Sequence, residues 1–420
     1  MDFPASVVRP LSRSEEMFAD MQNYMGLATH VTGSVDVDAM SDAFDALLHA
    51  HPILNAHLER RSDGRHQFVV DDLLHPGIRV LESAEDSSTA GANGRLDQYV
   101  SLINLNLTLT HDGAELCLHI HHSLADAHHQ FALAHQFFAY YTDLVNTGSV
   151  SDITIHPGPE PLEDLLAERG IRKQRRSGFE RFMPAMFAYD LPPSRRAVAG
   201  DAPVKPIPVP LARCWLTERE TRDLMALCQE NRVSLSTVVS AAILLAEWQI
   251  RGTPNIPIPY IYPVDLRYLL SPPVTAMGST NPLGVAAYLA EIDSRTDLVE
   301  LAGDIAQTFR TDLSDGVIQQ SLLHFSPQYV GNPPGLPDVV MCTDGGPAPT
   351  MRTPANLVVD GVHGEMWLTA STGVDIYCTG IFLDRLWIEH YSHAPAAEER
   401  IDGIRAVLCS APSQYSWAME

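Results

Sequence analysis

Between about residues 170 and 210 the chain reads RGIRKQRRSGFERF and then DLPPSRRAVAGDAPVKPIPVP, a stretch of basic, small and proline residues. Proline at this density interrupts both helices and sheets, so the segment predicts an extended connection rather than a packed core. It divides 420 residues into two pieces of similar length. That matters because a single hydrophobic core seldom grows to such a size. The expected organisation is a first half over 1–175, a crossover over 176–208 and a second half over 209–420.

Each piece mixes helix and strand. In SVDVDAMSDAFDALLHAHPILNAHL, apolar Met40, Phe44, Leu47 and Leu48 recur at helical spacing, and Asp36 or Asp38 can cap the start. Pro52 ends that helix, because the residue before a proline is pushed out of the helical region. HQFVVDD, LTLTHD and AELCLHIHH predict strands, and QFALAHQFFAYYTDLV a buried helix. The second piece repeats the mixture, with helices at ERETRDLMALCQENR and SLSTVVSAAILLAEWQIR and strands at YIYPVDLR, DVVMCTD, GEMWLTAS and RLWIEHYS. Two such halves predict an α/β architecture with a cleft between them.

Composition narrows the function. With 28 Lys+Arg against 52 Asp+Glu the formal charge is -24, which repels nucleic-acid phosphates and anionic lipid headgroups. Six cysteines without C-x-x-C spacing fit neither a zinc module nor a dense disulfide framework, which favours the reducing cytoplasm. The longest apolar stretch, VVSAAILLA, is too short to span a bilayer, though a transient, peripheral membrane contact stays open. Glycine-rich phosphate-loop and dinucleotide fingerprints are absent, which argues against kinases and dehydrogenases.

The densest chemistry is HIHHSLADAHH, residues 119–129, with five of the eighteen histidines and one aspartate. It sits where a strand gives way to a helix, a place where a loop carries side chains on rigid supports. His119 and His121 share one strand face, with His122 at the strand end on the other. The H-x-H pair lacks the aspartate and histidine that metallohydrolases place directly after it, so no metal is expected. The residues then leave two readings. Neutral His122 could take a proton from a hydroxyl, or it could be a strand-end histidine with Asp126 serving as turn former or helix N-cap.

HHSLADA resembles the H-H-x-x-x-D-G signature of the superfamily that contains chloramphenicol acetyltransferase, carnitine acyltransferases, wax ester synthases and condensation domains of peptide synthetases. LSRSEEMF, VDVDAMSDAFDALL, RLDQYVSL, PIPYIYPVDLR, DGVIQQS, PPGLP, TMRTP and PSQYSWAME extend the resemblance along the chain to polyketide-synthase-associated acyltransferases of the mycobacterial phthiocerol/phthiodiolone dimycocerosyl transferase family. The resemblance implies a two-domain pseudo-dimer of the CoA-dependent acyltransferase type, each half a mixed sheet with helices, around an active-site tunnel. The implied reaction moves a fatty or polyketide acyl group from a thioester to hydroxyls of a lipid alcohol or diol, directly and without a covalent enzyme intermediate. Alternatives are acetylation of a smaller natural-product alcohol and a weakly active carrier-binding scaffold.

By the same resemblance His122 is the general base and Asp126 a structural support, paired with an arginine for which Arg267 of PVDLR is the candidate. No permanently bound cofactor is implied; the co-substrate is an acyl-carrier-protein or CoA thioester. Expected partners are the acyl carrier domain of a polyketide synthase, or acyl-CoA, and the lipid acceptor. A monomer is expected, since a pseudo-dimer builds its cleft within one chain. Arg172, Lys173 and Arg175, from the basic stretch that also holds Arg169 and Arg176, and Arg310 are candidates for docking the carrier or CoA. Asn281, Gly284, Thr343 and Asp344 are candidates to line the cleft opposite His122. The signature departs from its pattern at Ala127, which stands where a glycine is usual. If that position needed a positive φ, a side chain there would cost on the order of 1 kcal/mol.

Overall fold

The computed structural model describes residues 6–71, 74–81, 96–186, 205–253, 255–325, 336–369, 374–392 and 396–416. Fifteen strands are described in chain order: β1 Ser6–Pro10, β2 Tyr24–Gly33, β3 Ala56–Arg60, β4 His66–Val70, β5 Ile78–Leu81, β6 Ile103–Leu109, β7 Gly113–His121, β8 Ile207–Pro208, β9 Leu211–Trp215, β10 Ile258–Asp265, β11 Leu283–Ala290, β12 Val339–Pro347, β13 Leu357–Leu368, β14 Val374–Phe382 and β15 Arg385–Tyr391. The principal helices are α1 Arg13–Met21, α2 Val37–Ala50, α3 Ala127–Thr147, α4 Glu218–Asn231, α5 Leu235–Arg251, α6 Leu298–Ser314 and α7 Ala397–Ser416.

Two six-stranded sheets organise these elements, in the orders β5-β6-β7-β2-β13-β8 and β11-β10-β12-β14-β15-β9, beside a small sheet β1-β4-β3. In the first, α2 and α3 cover one face, burying Met40, Phe44, Leu47, Leu133, Phe137 and Phe138 against Leu105, Leu116, Leu118 and Ile120. In the second, α4, α5, α6 and α7 pack in the same manner around Val239, Ile243, Leu301, Ile305 and Ile404. The helical spacing has a direct structural counterpart: Asp36 caps α2 by accepting from the Ala39 amide, and the helix gives way before Pro52. This is the α/β pseudo-dimer architecture, helices on one side of each sheet.

The halves are interlocked rather than merely joined. β13, far along the second half, leaves its own sheet and pairs antiparallel with β2, from Leu357 opposite Gly33 to Trp367 opposite Tyr24. β8 then adds to the outer edge of β13. A boundary at 209 therefore divides the sequence but not the first sheet, which is completed by residues 207–208 and 357–368. The crossover also departs from a plain extended connection. Phe179–Phe182 and Met183–Met186 form short helical turns, and Phe182 packs with Ala287, Leu336 and Val339. Residues 187–204 of that stretch lie outside the described residues.

Candidate active site at the end of the seventh strand

Strand β7 sorts its side chains by alternation. Ala114, Leu116, Leu118 and Ile120 enter the helix-covered core, while Cys117, His119 and His121 project from the opposite face. After His121 the chain leaves the ladder. The His122 amide donates to the Asn23 carbonyl at 2.8 Å, the Leu124 amide turns back to His121, and the Asp126 amide donates to Thr280 of the second half at 3.0 Å. α3 begins at the next residue, capped by Asp126, whose carboxylate accepts from the His129 amide at 2.9 Å. A cap of this kind is worth about 1 kcal/mol.

His122 is held on both faces of its backbone and on one face of its ring. Phe18 of α1 stacks on the imidazole, with centroids 4.1 Å apart and planes inclined by 12°. α1 is in turn fixed by a capping box between Ser12 and Glu15. Buried Glu15 also takes a two-pronged contact from Arg9 and a hydrogen bond from Thr280. Nδ1 of His122 is buried with no partner from another residue, whereas Nε2 is neither buried nor bonded. Burial lowers the imidazole pKa below its usual 6.5, with the Asp126 charge pulling the other way. The ring is therefore neutral at neutral pH, with one nitrogen open to a proton donor.

Asp126 does two jobs at once. Besides capping α3, it receives both Nη atoms of Arg267, at 2.6 and 2.8 Å. Arg267 lies two residues past the end of β10 and is fully buried; its Nε donates to the Ala276 carbonyl and Nη1 also reaches Asp265 at 3.2 Å. His128 pairs with the same Asp265 at 3.1 Å, which raises its pKa. The loop beneath His122 is thus clamped by the second half.

The neighbouring histidines are committed elsewhere. His121 bonds Ser123 at 2.7 Å and Gln98 at 2.9 Å, and burial holds its pKa to about 3. His129 is buried and held to about 4. His119 meets Glu365 at 2.9 Å and Cys117 at 3.4 Å above Gly26, where an added Cβ would clash with all three. A histidine holding a metal through Nε2 needs a partner for its other N–H, and Nδ1 of His119 is buried without one. The cluster therefore reads as a hydrogen-bonded group.

Of the four residues expected opposite His122, Asn281 comes to it directly, its Nδ2 donating to the His122 carbonyl at 2.6 Å. Gly284 is a packing residue: a Cβ there would lie 2.3 Å from the Ile318 carbonyl oxygen. Asp344 is occupied with the Gly346 amide and the Thr379 hydroxyl, at the end of β12. Thr343, its neighbour on that strand, is partly exposed. Ala127 corrects the expectation of backbone strain. It opens α3 and is absent from the residues with positive φ, so its methyl group carries no left-handed penalty.

The basic candidates lie away from this loop. Arg172, Lys173 and Arg175 are exposed, on a loop tied through Arg176 to Asp312 and Asp315 at the C-terminal end of α6, and through the Gln174 amide to Gln320 beyond it. Arg310, on α6, is exposed, and its guanidinium donates to Gln307 at 3.3 Å. Arg176 is thereby spent on acids, and Arg169 on the Pro272 and Leu165 carbonyls. Phe18, Glu15 and Thr280 were not anticipated. The S-x-x-E of LSRSEEMF signals the start of α1, but nothing in it signals what the helix packs against.

Residues 205–390 match the family described as phthiocerol/phthiodiolone dimycocerosyl transferase C-terminus. Over 421 aligned positions, covering both chains completely, the sequence is 49% identical to the phthiocerol/phthiodiolone dimycocerosyl transferase of Mycobacterium tuberculosis. The solved structure of polyketide synthase associated protein 5 from the same organism superposes with a TM-score of 0.89 at 48% identity, over 98% of this chain and 100% of the other. The first condensation domain of the calcium-dependent antibiotic synthetase shares the fold, with a TM-score of 0.68 at 13% identity over 97% of each chain.

Proposed function

Because the chain belongs to the phthiocerol/phthiodiolone dimycocerosyl transferase family, and so to the acyltransferases, we propose that His122 is the general base of a thioester-to-alcohol acyl transfer. The observation that carries this reading is the state of one side chain. The imidazole is neutral, its Nε2 is open, and its position is fixed by Phe18 on the ring and by Asp126 and Arg267 beneath the loop.

In the proposed reaction Nε2 takes the hydroxyl proton of the acceptor while the oxygen attacks the thioester carbonyl. The tetrahedral intermediate collapses with loss of the C–S bond, and the departing sulfur receives the proton from the imidazolium. General-base assistance of this kind supplies about a hundred- to ten-thousandfold. Holding both reactants in one cleft supplies much of the remainder. Asp126 and Arg267 do not exchange protons in this scheme; they fix the loop that aims the base.

The relatives are named for mycocerosyl transfer to phthiocerol or phthiodiolone, and a fatty or polyketide acyl group and a lipid alcohol or diol are the substrates proposed for this chain. The donor is an acyl-carrier or CoA thioester. Arg172, Lys173, Arg175 and Arg310 are proposed to receive its phosphate or the acidic carrier, being exposed cations on an acidic protein. Among the described residues no single helix is long and apolar enough to cross a membrane.

The test incubates the purified protein with carrier-bound and CoA-bound long-chain acyl thioesters and a long-chain diol, and follows ester by mass spectrometry. Ester formation that drops by at least about a hundredfold in His122→Ala supports the reading. Equal ester formation by that variant would overturn it.

A further inference from the structure

Helix α1 carries a second group of chemistry on the side away from His122. Glu16 and Asp20 stand four residues apart, so their carboxylates project side by side, while Phe18 between them points the other way, onto His122. Across from the carboxylates is His66 at the start of β4, buried like Glu16. Glu16 accepts the His66 amide on one oxygen at 2.7 Å and faces ring Nδ1 with the other at 2.8 Å. On the far side of the ring the Tyr99 hydroxyl lies 3.3 Å from Nε2. One donor atom from each of Glu16, Asp20 and His66 falls within 4.8 Å of the other two.

The helix does little to offset the two charges it brings together. Like charges at this spacing destabilise a helix. Asp20 also sits in the last turn, where the helix dipole disfavours an anion and where α1 has no basic residue. Burial first and the Glu16 charge second raise the pKa of Asp20, with His66 and exposed Arg60 acting the other way. Two carboxylates and one imidazole, drawn from a helix and a strand and converging on one point, make a ligand set for a divalent cation.

We propose that Glu16, Asp20 and His66 form a zinc site that fastens α1 to β4. The nitrogen donor argues against Mg2+ and Ca2+, which take oxygen ligands. Zinc accepts imidazole nitrogen with carboxylate oxygen, and three such ligands leave its fourth position to water. His66 would bind through Nδ1 in place of its present contact with Glu16, and the ring proton would then sit on Nε2, facing the Tyr99 oxygen. A neutral His66 only moves its proton between the nitrogens in this step; an imidazolium releases one to solvent. A partner behind the ring holds a ligating histidine in place, and this is what separates His66 from His119, whose second nitrogen is buried without one. Exposed Asp20 gives the ion a route in from solvent.

The site has a consequence for the helix that covers His122. The Leu11 amide, just before α1, already donates to the His66 carbonyl at 3.1 Å. An ion held by Asp20 would tie the other end of α1 to the same residue of β4. The ring of Phe18 would then rest on His122 from a helix pinned at both ends.

The experiment strips the full chain with a chelator, checks its fold by circular dichroism and titrates it with zinc chloride by calorimetry. The expected result is one zinc per chain and a higher Tm, as a ligand that prefers the folded state gives. Asp20→Asn, a change at an exposed side chain, weakens binding by more than the roughly tenfold that loss of a supporting residue costs, and His66→Gln does the same. X-ray absorption at the zinc edge shows nitrogen and oxygen neighbours at about 2.0–2.1 Å and no sulfur. Cys117→Ser, which leaves the proposed ligands untouched, binds zinc like the wild type.

Zinc held equally well by Asp20→Asn overturns the proposal, as does a wild type that takes up zinc only weakly and at many sites. Either result leaves Glu16 and His66 as a hydrogen-bonded pair. A sulfur neighbour overturns it too, because the ion would then lie with Cys117, His119 and Glu365.

Discussion

The guanidinium of Arg267 closes on both carboxylate oxygens of Asp126 at 2.6 and 2.8 Å, joining residues 141 apart in sequence across the two halves of the protein. The pair is almost completely buried, so its worth lies less in the attraction itself than in what either member would cost alone. Arg267→Ala leaves a buried carboxylate and Asp126→Ala a buried guanidinium. Each is expected to lower unfolding stability by about 3–5 kcal/mol, measured by urea denaturation. Asp126→Ala also loses the cap of α3. If either variant unfolds at the wild-type midpoint, the clamp is not structural.

Acid should loosen the protein through its buried neutral histidines. Burial holds His121 to about 3 and His129 to about 4, below the 6.5 that each regains on unfolding. Between those values the unfolded chain binds more protons than the folded one, so stability rises with pH. The contribution is complete above about pH 6.5 and is lost progressively as pH falls toward the folded values. Thermal unfolding followed from neutral pH to about 4.5 should show a falling Tm, and His121→Gln should flatten part of that slope. A slope unchanged in His121→Gln would remove His121 from the account.

The stack of Phe18 on His122 acts on the proposed base from above. An aromatic face stabilises a cation by about 0.5–1 kcal/mol, so Phe18 favours the imidazolium that forms in the proposed reaction. Phe18→Leu keeps an apolar side chain of somewhat smaller volume and removes the aromatic face. The expected outcome is a lower kcat and an acid limb of kcat/KM shifted to lower pH. An unshifted limb would show that the ring contact is packing alone.

Ala127 and Gly284 should both lose stability on a change of one methyl group, the first by its removal and the second by its addition. Ala127 already has helical backbone, so Ala127→Gly relieves nothing and costs up to about 0.5–1 kcal/mol in helix stability. Gly284→Ala drives a Cβ to within 2.3 Å of the Ile318 carbonyl and should destabilise by about 1–3 kcal/mol through overpacking. Tm measurements of the two variants suffice. A stabilised Ala127→Gly would restore the idea of strain at that position.

Much of the fold was legible because it is local. The alternation in AELCLHIHH predicts a strand with one face in the core, and Leu116, Leu118 and Ile120 are buried there. The spacing of Met40, Phe44, Leu47 and Leu48 predicts α2, and its cap is one of the two aspartates named. What was not legible is the passage of β13 into the first sheet. Its sequence, LVVDGVHGEMWL, is a good strand wherever it lies, and partner choice depends on edges that exist only after both halves have formed.

The site divides along the same line. The sequence determined that a histidine and an aspartate would stand four residues apart between a strand and a helix, since β-periodicity, helix periodicity and an N-cap are properties of adjacent residues. It could not determine which of five histidines would keep an open nitrogen. That was decided by burial and by partners brought from far along the chain: Gln98 and Ser123 on His121, Glu365 on His119, Asp265 on His128, and Phe18 with Asn281 on His122. A hydrogen-bond partner and a lost hydration shell are facts about space, and only the packed tertiary structure supplies them.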